Sequence, residues 1–168
     1  MQIDQLHYTS IMEVSELFRR RELRPSEITR AMLNRIGQLD AGLRSYLVVL
    51  AERAMAQAEQ HDSEMAKGIW RGPLHGIPVG LKDLCYTSFA PTTGGTKIHA
   101  TFVPSFNATV VDRLERAGAV TLGKLTMTEG AYTSHHPDIP APLNPWNANY
   151  WVGSSSTGSG VALSLIHI

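Results

Sequence analysis

Six glycines and prolines fall within the thirteen residues from Gly68 to Gly80: Gly68, Gly72, Pro73, Gly76, Pro78 and Gly80. Helices seldom survive that density, so the chain must change character there. Before this stretch the sequence reads as helical. Ser10 with Glu13 forms a potential capping box, and Ile11, Val14, Leu17 and Phe18 then share one helical face. Arg24-Pro25-Ser26 interrupts, because proline disfavours helix at the residue before it. A second helix is expected from about Ser26, with Ile28, Met32, Leu33 and Ile36 on its apolar side. Ser45 to Leu50 is a short apolar run that suits a strand. Ala51 to Met65, rich in alanine, glutamate and glutamine, predicts a third helix.

After the glycine-proline stretch the pattern alternates. Ile77 to Leu81 reads as a buried strand leading into Lys82-Asp83, and Pro91 to Thr96 as a loop. Val110 to Ala117 reads as a helix stopped by Gly118, and Val120 to Leu122 as the next strand. Strand, helix, strand at this spacing predicts an α/β unit with a mostly parallel sheet. Pro137 to Gly160 is rich in proline, glycine and serine. So long an irregular stretch in a compact domain usually belongs to a working site.

Composition closes off several classes. The 168 residues suffice for one domain, and 15 basic side chains balance 15 acidic ones, which gives no support for a nucleic acid or an anionic membrane as partner. No apolar run reaches the roughly 18 residues of a membrane helix, and Met1 to Ser10 lacks a signal-peptide pattern. A cytoplasmic setting is expected, and the single Cys85 does not contradict it.

Two features could carry chemistry. The run Gly153-Ser154-Ser155-Ser156-Thr157-Gly158-Ser159-Gly160 fits a flexible linker by composition, although Trp146, Trp151 and Val152 just upstream are bulky for one. As a phosphate loop it has Ser159 where a lysine is needed, and as a G-x-S-x-G elbow Gly153-x-Ser155 ends in Thr157. Lys82 closes an apolar strand. It could reach solvent and pair with Asp83, or act as a general base, because burial can lower a lysine pKa until the neutral amine takes a proton. A serine hydroxyl needs such a base, and Ser-Lys pairs are a known variant of the serine triad. The adjacent His135-His136 have no carboxylate or cysteine at metal-ligand spacing, and Cys85 shows no partner for catalysis; no metal and no cofactor are expected.

These pieces together resemble one family. Gly72-Pro-Leu-His-Gly-Ile-Pro-Val-Gly-Leu-Lys-Asp83, Thr92-Thr-Gly-Gly-Thr96, the segment Ala108 to Lys124, Asn144-Pro-Trp-Asn147 and the serine run match, in order, motifs of the amidase signature hydrolases. The resemblance covers residues 72 to about 162 and implies an amidase signature fold: α/β, a mostly parallel mixed sheet flanked by helices, with an N-terminal helical segment. Residues 1–66 would be that segment, 67–162 the first part of the core, and 163–168 a non-native tail. The tail, Leu163-Ser-Leu-Ile-His-Ile168, departs from the small residues with which the family continues. One set of codons that would encode it, CTG TCT CTT ATA CAC ATC, matches a transposase end sequence used in preparing DNA libraries, and the tail is therefore expected to be translated adapter.

The family works through a Ser-cisSer-Lys triad. By position Lys82 matches the base, and Ser155 matches the relaying serine that follows a cis peptide bond. Such a bond costs roughly 3–4 kcal/mol outside proline. Ser156 and Thr157 would support the relay by hydrogen bonding. Ser154 and Thr157 depart from the glycines common in the family and read as a subgroup trait. The nucleophile should lie roughly two dozen residues after Ser155, beyond Ile168, together with the backbone oxyanion donors just before it. The chain is therefore expected to be a truncated and inactive part of an amidase acting on a small-molecule amide, with a homodimer of the full-length form left open. The alternatives are a glutamine-amidase component of a tRNA-dependent amidotransferase and a non-enzymatic fragment. His135-His136-Pro137 and Trp151 resemble the stand-alone amidases more.

Overall fold

A computed structural model describes residues 3–165 of the chain. The expected tail therefore falls partly outside the described residues, which end at Leu165. A 3-10 turn, Ile3–Tyr8, precedes helices α1 (Ile11–Arg19) and α2 (Pro25–Leu43). Strand β1 (Tyr46–Val49), helix α3 (Ala51–Ala66) and strand β2 (Pro78–Lys82) follow, then α4 (Thr109–Arg116), β3 (Val120–Leu125) and α5 (Thr157–Leu165). The capping box starts α1: Ser10 Oγ accepts the Glu13 N–H at 3.3 Å, and the Glu13 carboxylate accepts the Ser10 N–H at 2.8 Å. Helix α2 begins at Pro25, one residue before Ser26, because proline suits the first helical turn. Ser26 then uses its hydroxyl and N–H to hold Asp62 on α3.

The sheet has the order β1-β3-β2. β2 and β3 run parallel, with α4 as the crossover, and β1 pairs antiparallel to β3. The sheet is thus mixed, as the α/β reading requires. The central strand is buried at every position from Val120 to Leu125. It runs three residues past the expected Leu122 end, because Gly123, Lys124 and Leu125 pair with both neighbours. Ile28, Met32, Ile36, Ala54, Ala58, Ile77, Val120 and Leu122 join α2 and α3 to the sheet in one core. Helix α5 packs on β2 and β3.

The long irregular stretch ends earlier than the sequence suggests. Thr157, Gly158, Ser159 and Gly160 already belong to α5 despite two glycines. Tertiary contact overrides propensity here. A Cβ on Gly158 would lie 2.3 Å from the Ser45 carbonyl oxygen and 2.6 Å from the Thr126 nitrogen, so only glycine lets the helix start this close to the strand.

Where α3 ends, three donors converge that sequence spacing did not bring out: His61, Glu64 and His75, with ligand atoms within 4.8 Å of one another. Each is engaged by hydrogen bonds within the protein. The Arg71 N–H donates to His75 Nδ1 at 3.2 Å, which leaves the proton of a neutral His75 on Nε2. That nitrogen faces Glu64 Oε2 at 3.1 Å and His61 Nδ1 at 3.2 Å. Arg71 also grips both Glu64 oxygens, and Gln60 donates to Oε1 at 2.9 Å. The cluster is therefore a hydrogen-bonded tie between α3 and the loop that launches β2. Its His61-x-x-Glu64 spacing places both on one helical face, which was the available signal.

Burial pushes the pKa of His61 and of His75 below 6.5, against the pull of Glu64. Burial raises that of Glu64, but the hydrogen bonds from Arg71, Gln60 and His61 outweigh it and hold it at about 2. Both kinds of shift have the same consequence. The unfolded chain takes up protons first, below pH 6.5 for the histidines and below 4.5 for Glu64, so stability is full above those values and is lost as pH falls. His135, lowered by burial, adds to the same trend. The melting temperature of the protein should drop between about pH 7.5 and 5, and the drop should shrink in His61→Gln. A flat profile would contradict the cluster geometry.

Candidate active site

The parallel pairing of β2 with β3 carries Lys82 to the edge of the irregular region, in register with Leu125. Its amino group lies 2.6 Å from Ser155 Oγ, within hydrogen-bonding distance, across 73 residues of sequence. Both sequence-derived site residues therefore meet. Lys82 and Ser155 are each half-buried, so the site is reachable from solvent.

A second lysine, Lys124, lies close by with its side chain fully buried. Four acceptors share the three protons of Lys124: the Cys85 and Pro91 carbonyls, each at 3.0 Å, Thr92 Oγ1 at 2.7 Å and Thr87 Oγ1 at 3.2 Å. Its ammonium lies 3.3 Å from Asp83 Oδ1, an ion pair rather than a directed hydrogen bond, since the donors point at the other oxygens. Burial pushes the Lys124 pKa down and Asp83 opposes it. Asp83 thus pairs with Lys124 and not with Lys82. Its other oxygen, Oδ2, accepts the Thr93 N–H at 3.0 Å and the Thr93 hydroxyl. The loop after Lys82 is in this way folded around one buried cation.

The serine run is anchored, which removes the linker reading. Ser155 donates its N–H to Thr128 Oγ1 at 2.9 Å, and Gly158 donates its N–H to the Thr126 carbonyl at 2.8 Å. The cis peptide bond expected before Ser155 is absent. Among the described residues no cis bond occurs, and Ser155 has a left-handed backbone, φ 58°. A left-handed residue at the tip of a tight turn, closed by the Ser156 N–H on the Ser154 carbonyl at 2.6 Å, brings Oγ to Lys82 by another route.

Ser156 and Thr157 are not drawn into the pair. Ser156 is exposed, and Thr157 is buried with Oγ1 donating to the Thr126 carbonyl at 3.4 Å, so it starts α5 against β3. Neither hydroxyl bonds Lys82 or Ser155 among the described residues. Upstream, Trp146 and Trp151 are 82% and 68% exposed, so their bulk does not order the segment. Asn144 does so, with Oδ1 accepting the Trp146 N–H at 2.9 Å and the Asn147 N–H at 3.4 Å. His136 accepts the Asp138 N–H at 3.1 Å within its own loop, as a loop histidine should.

A model of the amidase family matches residues 27–166. The chain belongs to the amidase signature family. It is 50% identical over 159 residues to AmiD of Mycobacterium tuberculosis, itself an amidase by assignment, covering 95% of this chain and 34% of that one. It is 39% identical over 163 residues to a component of the glutamyl-tRNA(Gln) amidotransferase of Moorella thermoacetica, covering 95% and 33%. Among solved structures, the native peptide amidase of Stenotrophomonas maltophilia superposes with a TM-score of 0.85 at 32% identity, covering 93% of this chain and 34% of its own. The chain thus spans about a third of the length of these relatives. No helix among the described residues is long and apolar enough to cross a membrane.

The Lys124–Asp83 pair makes a prediction about stability. Lys124→Met would leave Asp83 buried without its cation, which costs about 3–5 kcal/mol. Chemical denaturation of the full-length protein should show that loss, and Asp83→Asn added to Lys124→Met should recover part of it. A double variant no more stable than Lys124→Met would mean that the charge pairing is not what the four hydrogen bonds support.

Proposed function

We propose that the full-length protein containing this chain hydrolyses amide bonds, with Lys82 as the ultimate base and Ser155 as the relay. The observation that carries this reading is the 2.6 Å contact between Lys82 Nζ and Ser155 Oγ. On this reading the nucleophilic hydroxyl lies beyond Ile168, as do the backbone N–H donors for the oxyanion. The nucleophile attacks the amide carbonyl while its proton passes to Ser155 Oγ and the proton of Ser155 passes to Lys82. The same path in reverse protonates the leaving ammonia or amine. Water then repeats the sequence on the acyl-enzyme, releasing the carboxylate.

The relay serine is useful because a lysine at the end of a strand is fixed in direction. An intervening hydroxyl, donor and acceptor at once, can span the gap and reverse its polarity during turnover. The higher identity to AmiD than to the amidotransferase component supports a stand-alone hydrolase of a small amide; the cytoplasmic setting proposed with it rests on the sequence reading alone. The second reading, a glutamine amidase that passes ammonia to a tRNA-modifying partner, is favoured by the 39% relative and would show as activity only with partner proteins.

Lys82→Ala and Ser155→Ala should each lower amide turnover by about two orders of magnitude or more in the full-length protein, while the melting temperature stays close to that of the parent. Steady-state hydrolysis of simple carboxamides measures this. Activity within a few-fold of the parent for either variant would remove that residue from the mechanism. A fluorophosphonate serine probe should label the full-length protein and leave the 168-residue chain unlabelled. Labelling of Ser155 in the short chain would instead make it the nucleophile.

A further inference from the structure

The side chain that governs Ser155 is not one of the serines around it. Thr128 lies just past β3 and is completely buried. Its hydroxyl makes two hydrogen bonds of opposite sense. Oγ1 donates to the Tyr132 carbonyl at 2.6 Å and accepts the Ser155 N–H at 2.9 Å. A threonine hydroxyl has one proton. A carbonyl can only accept it, and a backbone N–H can only donate, so both roles are fixed. The proton goes to Tyr132 and a lone pair faces Ser155. Threonine is also stiff at its first side-chain torsion, which keeps that lone pair in place.

Ser155 needs such a partner. Its left-handed backbone, φ 58°, costs roughly 1–2 kcal/mol for a residue other than glycine or asparagine. It is the residue of the serine run that takes this conformation without being glycine. The contact to Thr128 is what satisfies its N–H, because the Ser156 and Gly158 N–H groups turn to other carbonyls. Thr128 is itself anchored from the Lys82 side. The Gly130 N–H donates to the Gly94 carbonyl at 2.8 Å, and the Gly94 N–H donates to the Asp83 carbonyl at 3.2 Å. A Cβ on Gly95, at φ 73°, would lie 2.8 Å from the Thr128 carbonyl oxygen, so the two loops touch through backbone.

We propose that Thr128 is a positioning residue for the proton relay, its hydroxyl holding the Ser155 backbone so that Ser155 Oγ stays within reach of Lys82. This rests on the amide-hydrolysis reading above. The Thr128 hydroxyl hydrogen-bonds the Ser155 N–H and the Tyr132 carbonyl rather than Lys82 or the Ser155 hydroxyl, and it acts through the turn it pins.

The test uses the full-length amidase and four variants. Thr128→Val keeps the shape and loses the hydroxyl, whereas Thr128→Ser keeps the hydroxyl. Thr128→Val should lower kcat about 10- to 100-fold with KM changed less than about threefold, since a misplacement of the order of 1 Å costs up to about 100-fold. Thr128→Ser should stay within about threefold of the parent. Ser155→Ala is the reference, and Thr128→Val/Ser155→Ala should be no slower than Ser155→Ala alone, because the two residues would act as one unit. Should Thr128→Val not fold, Thr128→Ala in the same comparison reads the same contact. Full activity in the valine or alanine variant overturns the proposal. So does an equal loss in the serine variant, or a further multiplicative loss in the double variant, either of which marks a merely structural role. Parent-like activity of Ser155→Ala would sink the relay reading itself, and a low Ser155→Ala with a normal Thr128→Val would sink only the role of Thr128.

Discussion

One buried ammonium organises this part of the chain. Lys124 is the penultimate residue of the central strand, where every neighbour on β3 is also buried, and a bare cation there would be prohibitive. The structure answers by folding the loop after β2 around it, with two carbonyls, two threonine hydroxyls and the Asp83 carboxylate turned inward. That loop has no regular secondary structure of its own between Asp83 and Ala108. Its shape is set by the cation it surrounds. Removing one partner of such an arrangement is far more damaging than never having had it, which is why the two charges are best regarded as one element of the fold.

The strand, helix, strand unit and both members of the Lys82–Ser155 pair could be read from the sequence, for two different reasons. The unit follows from hydrophobic periodicity and glycine stops, which act over a few residues. The pair follows from ordered motifs. What stayed hidden was whatever depends on contact between distant segments. Thr128 lies 27 residues from Ser155, and Lys124 lies 39 residues from Cys85, so no local pattern announces either. Lys124 did carry a signal. A lysine in an apolar strand is unusual, and that applies more strongly to Val-Thr-Leu-Gly-Lys-Leu than to the strand that ends in Lys82. The start of α5 at Thr157 was hidden for a related reason. Gly158 looks like a helix breaker until the Ser45 carbonyl beside it is known.

The His61, Glu64 and His75 tie shows how the two halves of the chain cooperate. His61 and Glu64 come from the helical segment, while His75 and Arg71 come from the loop that starts β2. The loop is rich in glycine and proline and has little propensity to hold a shape. Once His75 is fixed between Arg71 N–H and Glu64, the chain enters β2 with its direction set, and Ile77 is delivered to the core. The helical segment is thus part of what aims Lys82.

The Lys82–Ser155 contact is controlled from a single strand end. Lys82 takes its position from the pairing of β2 with β3, in register with Leu125. Ser155 takes its position from Thr128, three residues further along the same chain direction, and α5 from Thr126. Lys82 and Ser155 therefore share a reference only a few residues long, although 73 residues separate them in sequence. A distortion that moves the whole end of β3 carries both groups together and preserves their contact. A distortion that bends the chain between Leu125 and Thr128 separates them. Proton transfer depends steeply on the donor–acceptor distance, so under the proposed relay the rigidity of those few residues matters more than the surrounding serines. Their complete burial, from Thr126 through Thr128, is the physical form that rigidity takes.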